Sequence, residues 1–220
     1  MDAHTEINVE FFDSKEYEFS DEEKKTVIAI TIAAEKEIRI LLPQLPEIIL
    51  LSVMTGQDVI PTTGEVGLCM APGYVRWIVD PKLKESVNEI AKASLRSTLF
   101  HECHHLVRGF VMYGGKPIRS FMDVVINEGL ATVFERDASG SNPEWGRYPA
   151  DVENWVNELQ QLPLSVPYEE WMIRHPDGRS YIGYKVGTYI VDRAIKNSGV
   201  SAADFVLTTT EEIFELSGLK

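Results

Sequence analysis

His101-Glu102-Cys103-His104-His105 is the stretch on which the reading of this chain turns. It lies inside a helical pattern running from Asn88 to about Met112, ended by Gly114-Gly115 and Pro117. Residues i and i+4 of an α-helix sit one turn apart and only about 40° around the axis. His101 and His105 therefore present two imidazoles to one point, where they can grip a single metal ion. Glu102 falls about 100° from His101 and about 60° from His105 on the same wheel. It flanks that point and can reach a water held there. With His101 at 0°, Leu95, Leu99, Cys103, Leu106 and Phe110 cluster at roughly 120° to 200°, while Ser94, Ser97 and Thr98 fall near the imidazole face. The helix thus has an apolar back and a second face lined by small residues.

A chance H-E-x-x-H is expected in about one chain in a hundred of this composition. Three of the five histidines of this chain sit in the one pentad, which favours a metal site over a histidine-rich helix face. Cys103, on the apolar back, reads as a small core residue and not a ligand. His104 reads as a half-exposed spare.

Two histidines do not complete a catalytic zinc site, which takes three protein ligands and an open position. The pattern H-E-x-x-H-x-x-G-x-x-H would need glycine at position 108 and histidine at 111; the chain has Arg108 and Val111. The next candidate segment is Val125-Ile126-Asn127-Glu128-Gly129-Leu130-Ala131, on a helix expected over Phe121 to Asp137. The interval from His105 allows a turn and a second helix packed on the first. Glu128 shares its face with Phe121, Val124, Ala131 and Thr132, and a carboxylate among such neighbours needs a counter-charge. A metal supplies one; an exposed side chain, or pairing with Arg108 or Arg136, is the plainer alternative. Glu135, two turns on, reads as a surface salt-bridge partner with Arg108 as the other half; the alternatives are Glu135 behind the metal ligands and Arg108 on a substrate carboxylate.

The remaining composition sets limits. The chain has 220 residues and a formal charge of −13, with 44% hydrophobic and 25% charged residues. That suffices for a sizeable core and excludes collagen, long disorder and a disulfide scaffold. So acidic a surface repels phosphate backbones and anionic lipid, so nucleic acid and membrane are not expected partners. The longest apolar runs, such as Ile48 to Met54, are too short to span a bilayer. The first residues lack the basic and apolar regions of a secretory signal. Two cysteines, Cys69 and Cys103, fit a reducing compartment, so a cytoplasmic location is expected.

Along the chain, Ser20-Asp21-Glu22-Glu23 announces a capping box and a helix to about Leu42. Ile48 to Met54, Val66 to Met70 and Tyr74 to Val79 read as strands, the last two joined by a turn at Ala71-Pro72-Gly73. Residues 1–19 show no clear period. Helices are expected over Val152 to Leu162, Tyr168 to Arg174 and Tyr181 to Lys196. The expected class is α+β: a small, mostly antiparallel N-terminal sheet, then a mainly helical region carrying the H-E-x-x-H helix and the glutamate helix.

His101-Glu102-x-x-His105 followed by Asn127-Glu128-Gly129-Leu130-Ala131 resembles the gluzincin metallopeptidases. Among them it most resembles a family of predicted zinc-dependent proteases defined as a domain of unknown function. The resemblance covers roughly residues 85–195 and takes in Gly183-Tyr184-x-x-Gly187. It implies a zincin-like fold over 1–220 as one domain, with a sheet lobe over 1–112, a helical lobe over 113–220 and a cleft between them. It also implies one Zn²⁺ on His101, His105 and Glu128, and hydrolysis of a peptide or protein substrate with Glu102 as general base. Tyr184, between its glycines, is the favoured oxyanion donor, with Tyr181 and His175 as the other candidates. The strand over Val66 to Met70 offers an edge for an extended peptide. Thermolysin-like relatives carry Asp four residues after the ligand glutamate; Thr132 stands there. Two other readings stay open. A di-iron carboxylate site uses the same E-x-x-H, but needs a second one that the chain lacks. A non-enzymatic, metal-stabilised binding or regulatory module is the other, with His104 closing the site as a fourth ligand.

Overall fold

The helix announced at Ser20 forms as its capping box requires. Ser20 Oγ accepts from the Glu23 backbone N–H at 3.3 Å, and Glu23 Oε2 accepts from the Ser20 backbone N–H at 2.9 Å. This helix, α1 (Asp21–Leu41), buries Val27, Thr31, Ala34 and Ile38, one apolar stripe at helical spacing. The computed structural model describes residues 6–84 and 86–219. It divides into two compact units, Met1–Lys116 and Pro117–Lys220.

In the first unit, β1 (Glu6–Phe12), β2 (Ile48–Thr55), β3 (Glu65–Ala71) and β4 (Tyr74–Val79) form one sheet in the order β1-β2-β4-β3. β1 and β4 both run parallel to β2, and only β3 is antiparallel to its neighbour, β4. The sheet is mixed, which corrects the mostly antiparallel expectation. The cause is α1: it carries the chain back between β1 and β2, and such a crossover makes the two strands parallel. The hairpin from β3 to β4 turns at Gly73, in the left-handed region at φ 74°. Ile49, Leu51, Val53, Trp77 and Val79 of the sheet are buried, as are Val27 and Ile38 of α1.

Ser86 caps α2 (Val87–Ile90), which continues through a π-helical turn (Ala91–Leu95) into α3 (Arg96–Arg108). α3 stops earlier than the sequence suggested because Gly109 adopts φ 74° and caps it. The backbone N–H groups of Met112 and Tyr113 then donate to the carbonyls of Cys69 and Met70 at 3.0 and 2.9 Å. That end of the β3 edge, expected to be open to an extended peptide, is therefore covered by the chain itself.

The second unit is helical. α4 (Phe121–Ser139) starts at a Ser120–Asp123 capping box and ends at left-handed Gly140. It is succeeded by α5 (Val152–Gln160), α6 (Tyr168–Met172), α7 (Ile182–Ser198) and α8 (Thr210–Ser217), with single 3₁₀ turns at Glu144–Gly146 and Asp204–Leu207. Its core gathers Val125, Leu130 and Val133 of α4 with Val186, Ile190 and Val191 of α7. α4 and α7 cross where two glycines meet. A Cβ on Gly129 would lie 2.2 Å from the carbonyl carbon of Gly187, and one on Gly187 would lie 2.0 Å from the Val125 carbonyl oxygen. Ser139–Pro149, the polar and proline-bearing stretch, lies inside this unit. The class is α+β, and among the described residues no helix is long and apolar enough to cross a membrane.

Candidate metal centre

α3 does what its spacing dictates. The Nε2 atoms of His101 and His105 lie 3.0 Å apart, with the rings nearly perpendicular at 80°. Two imidazole nitrogens, each about 2.0–2.1 Å from one tetrahedral cation, would stand about 3.3 Å apart, so the pair fits a shared ion with little adjustment. His105 is buried against the ring of Phe110, whose centroid is 4.9 Å away, while His101 is partly exposed. An ion held there is thus reachable from one side.

Glu102 is 6% exposed. It fits because the strand opposite has no side chain at position 67. A Cβ on Gly67 would lie 2.8 Å from Glu102 Cγ, 2.9 Å from Glu102 Oε1 and 2.5 Å from Thr98 Cγ2. The same strand anchors the helix through Glu65. Its Oε2 accepts from the Trp77 indole N–H at 2.8 Å and from the Thr98 hydroxyl at 3.0 Å. Thr98 lies one turn before His101, so this buried carboxylate fixes the start of the turn bearing the imidazoles. Sequence reasoning missed Glu65 and Gly67. A glycine inside a strand, which marks close approach of another element, was the available signal.

Cys103 is 1% exposed, and burial, with the neighbouring Glu102 charge, pushes its thiol up to about 12. It is the core residue its position predicts. His104 is a correction: it is fully buried, not half-exposed. The apolar back of α3 is wider than the wheel suggested, because the helix packs against both β3 and α1.

On α4, Glu128 is also 6% exposed. The Gly129–Gly187 crossing sets its backbone. The adjacent Asn127 turns its amide back onto the Asp123 carbonyl at 2.7 Å. The Tyr168 hydroxyl donates to Glu128 Oε1 at 3.4 Å and lies 3.5 Å from the Tyr184 hydroxyl. Tyr184 is thereby joined to the carboxylate through Tyr168, a residue to which the sequence pattern assigns no role. The ring of Tyr181 stands 6.4 Å from that of Tyr184, and its backbone is left-handed at φ 57°. His175 is engaged by the carboxylate of Asp177 at 2.9 Å and by the ring of Trp171.

Arg136 forms a two-point pair with Asp192, at 2.8 and 3.1 Å, and also binds Asp137. Its guanidinium is thus committed elsewhere than to Glu128. Glu135 is buried and accepts from the Ser141 hydroxyl at 2.8 Å, so it is not a surface residue as expected. Thr132 is fully buried against Gly146, so the position that would carry an orienting Asp carries a core hydroxyl instead.

His101, His105 and Glu128 can each offer one ligand atom to a metal ion. Two imidazoles and one carboxylate are a donor set of the kind that suits zinc. Residues 21–215 match the protein family described as "Predicted Zn-dependent protease (DUF2268)". No curated protein and no solved structure matches the chain.

Proposed function

We propose that this chain, which belongs to the family of predicted Zn-dependent proteases, is a zinc peptidase that hydrolyses peptide bonds with Glu102 as general base. The observation that carries the reading is the pair of Nε2 atoms 3.0 Å apart on α3, with Glu102 seated beside them in the slot left by Gly67. His101 and His105 would hold the ion from α3, and Glu128 from α4. When bound, zinc lowers the pKa of a coordinated water to about 7 and polarises a carbonyl oxygen.

The protein's own groups do the rest. Glu102 takes the proton from the attacking water and delivers it to the departing amine nitrogen. Its burial against β3 keeps the carboxylate in one orientation throughout. The Tyr184 hydroxyl is assigned to the oxyanion that develops on the former carbonyl oxygen. Support for this is its hydroxyl contact with Tyr168, which itself reaches Glu128. A peptide or protein substrate and a reducing, cytoplasmic setting complete the reading; the two buried free cysteines suit that setting.

Glu102→Gln keeps the shape of the site and removes the base. We expect zinc content by elemental analysis to stay at the wild-type level, and peptide cleavage to fall by about 10²-fold or more. Cleavage at the wild-type rate overturns the assignment.

A further inference from the structure

We infer that Tyr168 is a positioning residue for Glu128: its hydroxyl holds the carboxylate in the orientation that receives the metal. The inference rests on the proposal that Glu128 is a ligand. Three features place Tyr168 there. Pro167 precedes it as the N-cap of α6, so the tyrosine stands at the first position of a one-turn helix. Met172, at the other end of α6, is locked onto α7, because a Cβ on Gly183 would lie 2.0 Å from its sulfur. The hydroxyl then meets Glu128 Oε1 at 3.4 Å and Tyr184 at 3.5 Å.

The chemistry of the donor matters. A phenol donates a single hydrogen bond and carries no charge of its own at neutral pH, so it restricts rotation of the carboxylate without adding a cation that would compete with the metal. Partners of this kind behind metal ligands typically contribute 10- to 100-fold in affinity. The Tyr184 hydroxyl meets that of Tyr168; on the proposed function Tyr184 serves the substrate, while Tyr168 sets the ligand.

The test uses the full chain, with zinc affinity from competition against a chromogenic chelator, the visible spectrum of the cobalt(II)-substituted protein, and the melting temperature of the metal-free form. Tyr168→Phe should weaken zinc binding about tenfold, alter the cobalt spectrum and leave the metal-free melting temperature unchanged. Tyr184→Phe should leave zinc affinity within about twofold of wild type. Wild-type affinity in Tyr168→Phe alongside weakened binding in Glu128→Gln overturns this inference alone. Wild-type affinity in Glu128→Gln overturns the ligand assignment and the inference with it. An equal loss in Tyr184→Phe, an unchanged cobalt spectrum, or a matching fall in the metal-free melting temperature assigns the effect to packing and also overturns it.

Discussion

Replacing Gly129 with alanine tests the packing that presents Glu128. In an ordinary helix interior this change is favourable by about 1 kcal/mol, because alanine loses less backbone entropy. Here the new Cβ would lie 2.2 Å from the Gly187 carbonyl carbon, 2.4 Å from its oxygen and 2.6 Å from its Cα. All three atoms are backbone and cannot rotate away. Restoring ordinary contact means moving α4 and α7 apart by roughly 1–1.5 Å, and a packed interior resists that. Overpacking of this kind costs about 1–3 kcal/mol, and contact with backbone puts it at the upper end. The net expectation is about 2 kcal/mol of destabilisation, or about 4–8 °C in melting temperature for a chain of this size. Thermal unfolding of the metal-free protein reads this directly, without any contribution from ligand binding. Gly187→Ala should act in the same sense, since its Cβ would meet the Val125 carbonyl oxygen at 2.0 Å. The double variant should lose less than the sum, because helices already parted accept the second methyl more cheaply. A Gly129→Ala protein that melts at or above the wild-type temperature refutes the crossing as the constraint on this position.

Other parts of the molecule lead to two more expected outcomes. Thr132 is fully buried and its hydroxyl has no protein hydrogen-bond partner among the described residues; Thr132→Val should therefore stabilise the protein by about 1 kcal/mol, and a lower melting temperature would show that the hydroxyl is satisfied in solution. The Arg179 backbone N–H, together with the His175 and Arg179 side chains, holds the Asp177 carboxyl down to about 2 from its ordinary 3.8. A depressed folded-state value stabilises the fold above the ordinary range, and the effect disappears as pH falls through about 2. The melting-temperature difference between wild type and Asp177→Asn should accordingly be full at about pH 6 and vanish near pH 2; a difference independent of pH would sink it.

What could be read of the fold divides along a physical line. Helix starts are local: Ser20 and Ser120 satisfy donors three residues away, so their boundaries can be seen in four letters of sequence. Thr209-Thr210-Glu211-Glu212 is the same device and opens α8, a helix absent from the sequence-based expectations. β1 carried a signal too, the alternation of Ile7, Val9 and Phe11 with the polar Asn8 and Glu10 between them. Strand direction is different. Whether β1 and β2 run parallel depends on where α1 docks, and no residue within either strand encodes that.

The site divides the same way. His101, Glu102 and His105 are legible because one turn of helix brings them together. Tyr168 is not, since its contact with Glu128 joins residues far apart in the chain. The Gly183-Tyr184-x-x-Gly187 element lies between these extremes. Its glycines invite the reading that they free the tyrosine to move. Instead, both are contact surfaces: Gly183 admits Met172 of α6, and Gly187 admits the backbone of α4 beside Glu128. The motif thus ties the helix of Tyr168 and the helix of Glu128 to one rail, α7, with Tyr184 between the two clamps. A larger residue at either glycine would displace the helix of Tyr168 or the helix of Glu128 rather than Tyr184 itself. On this account the element spaces α6 and α4, the two helices whose Tyr168 and Glu128 meet beside Tyr184.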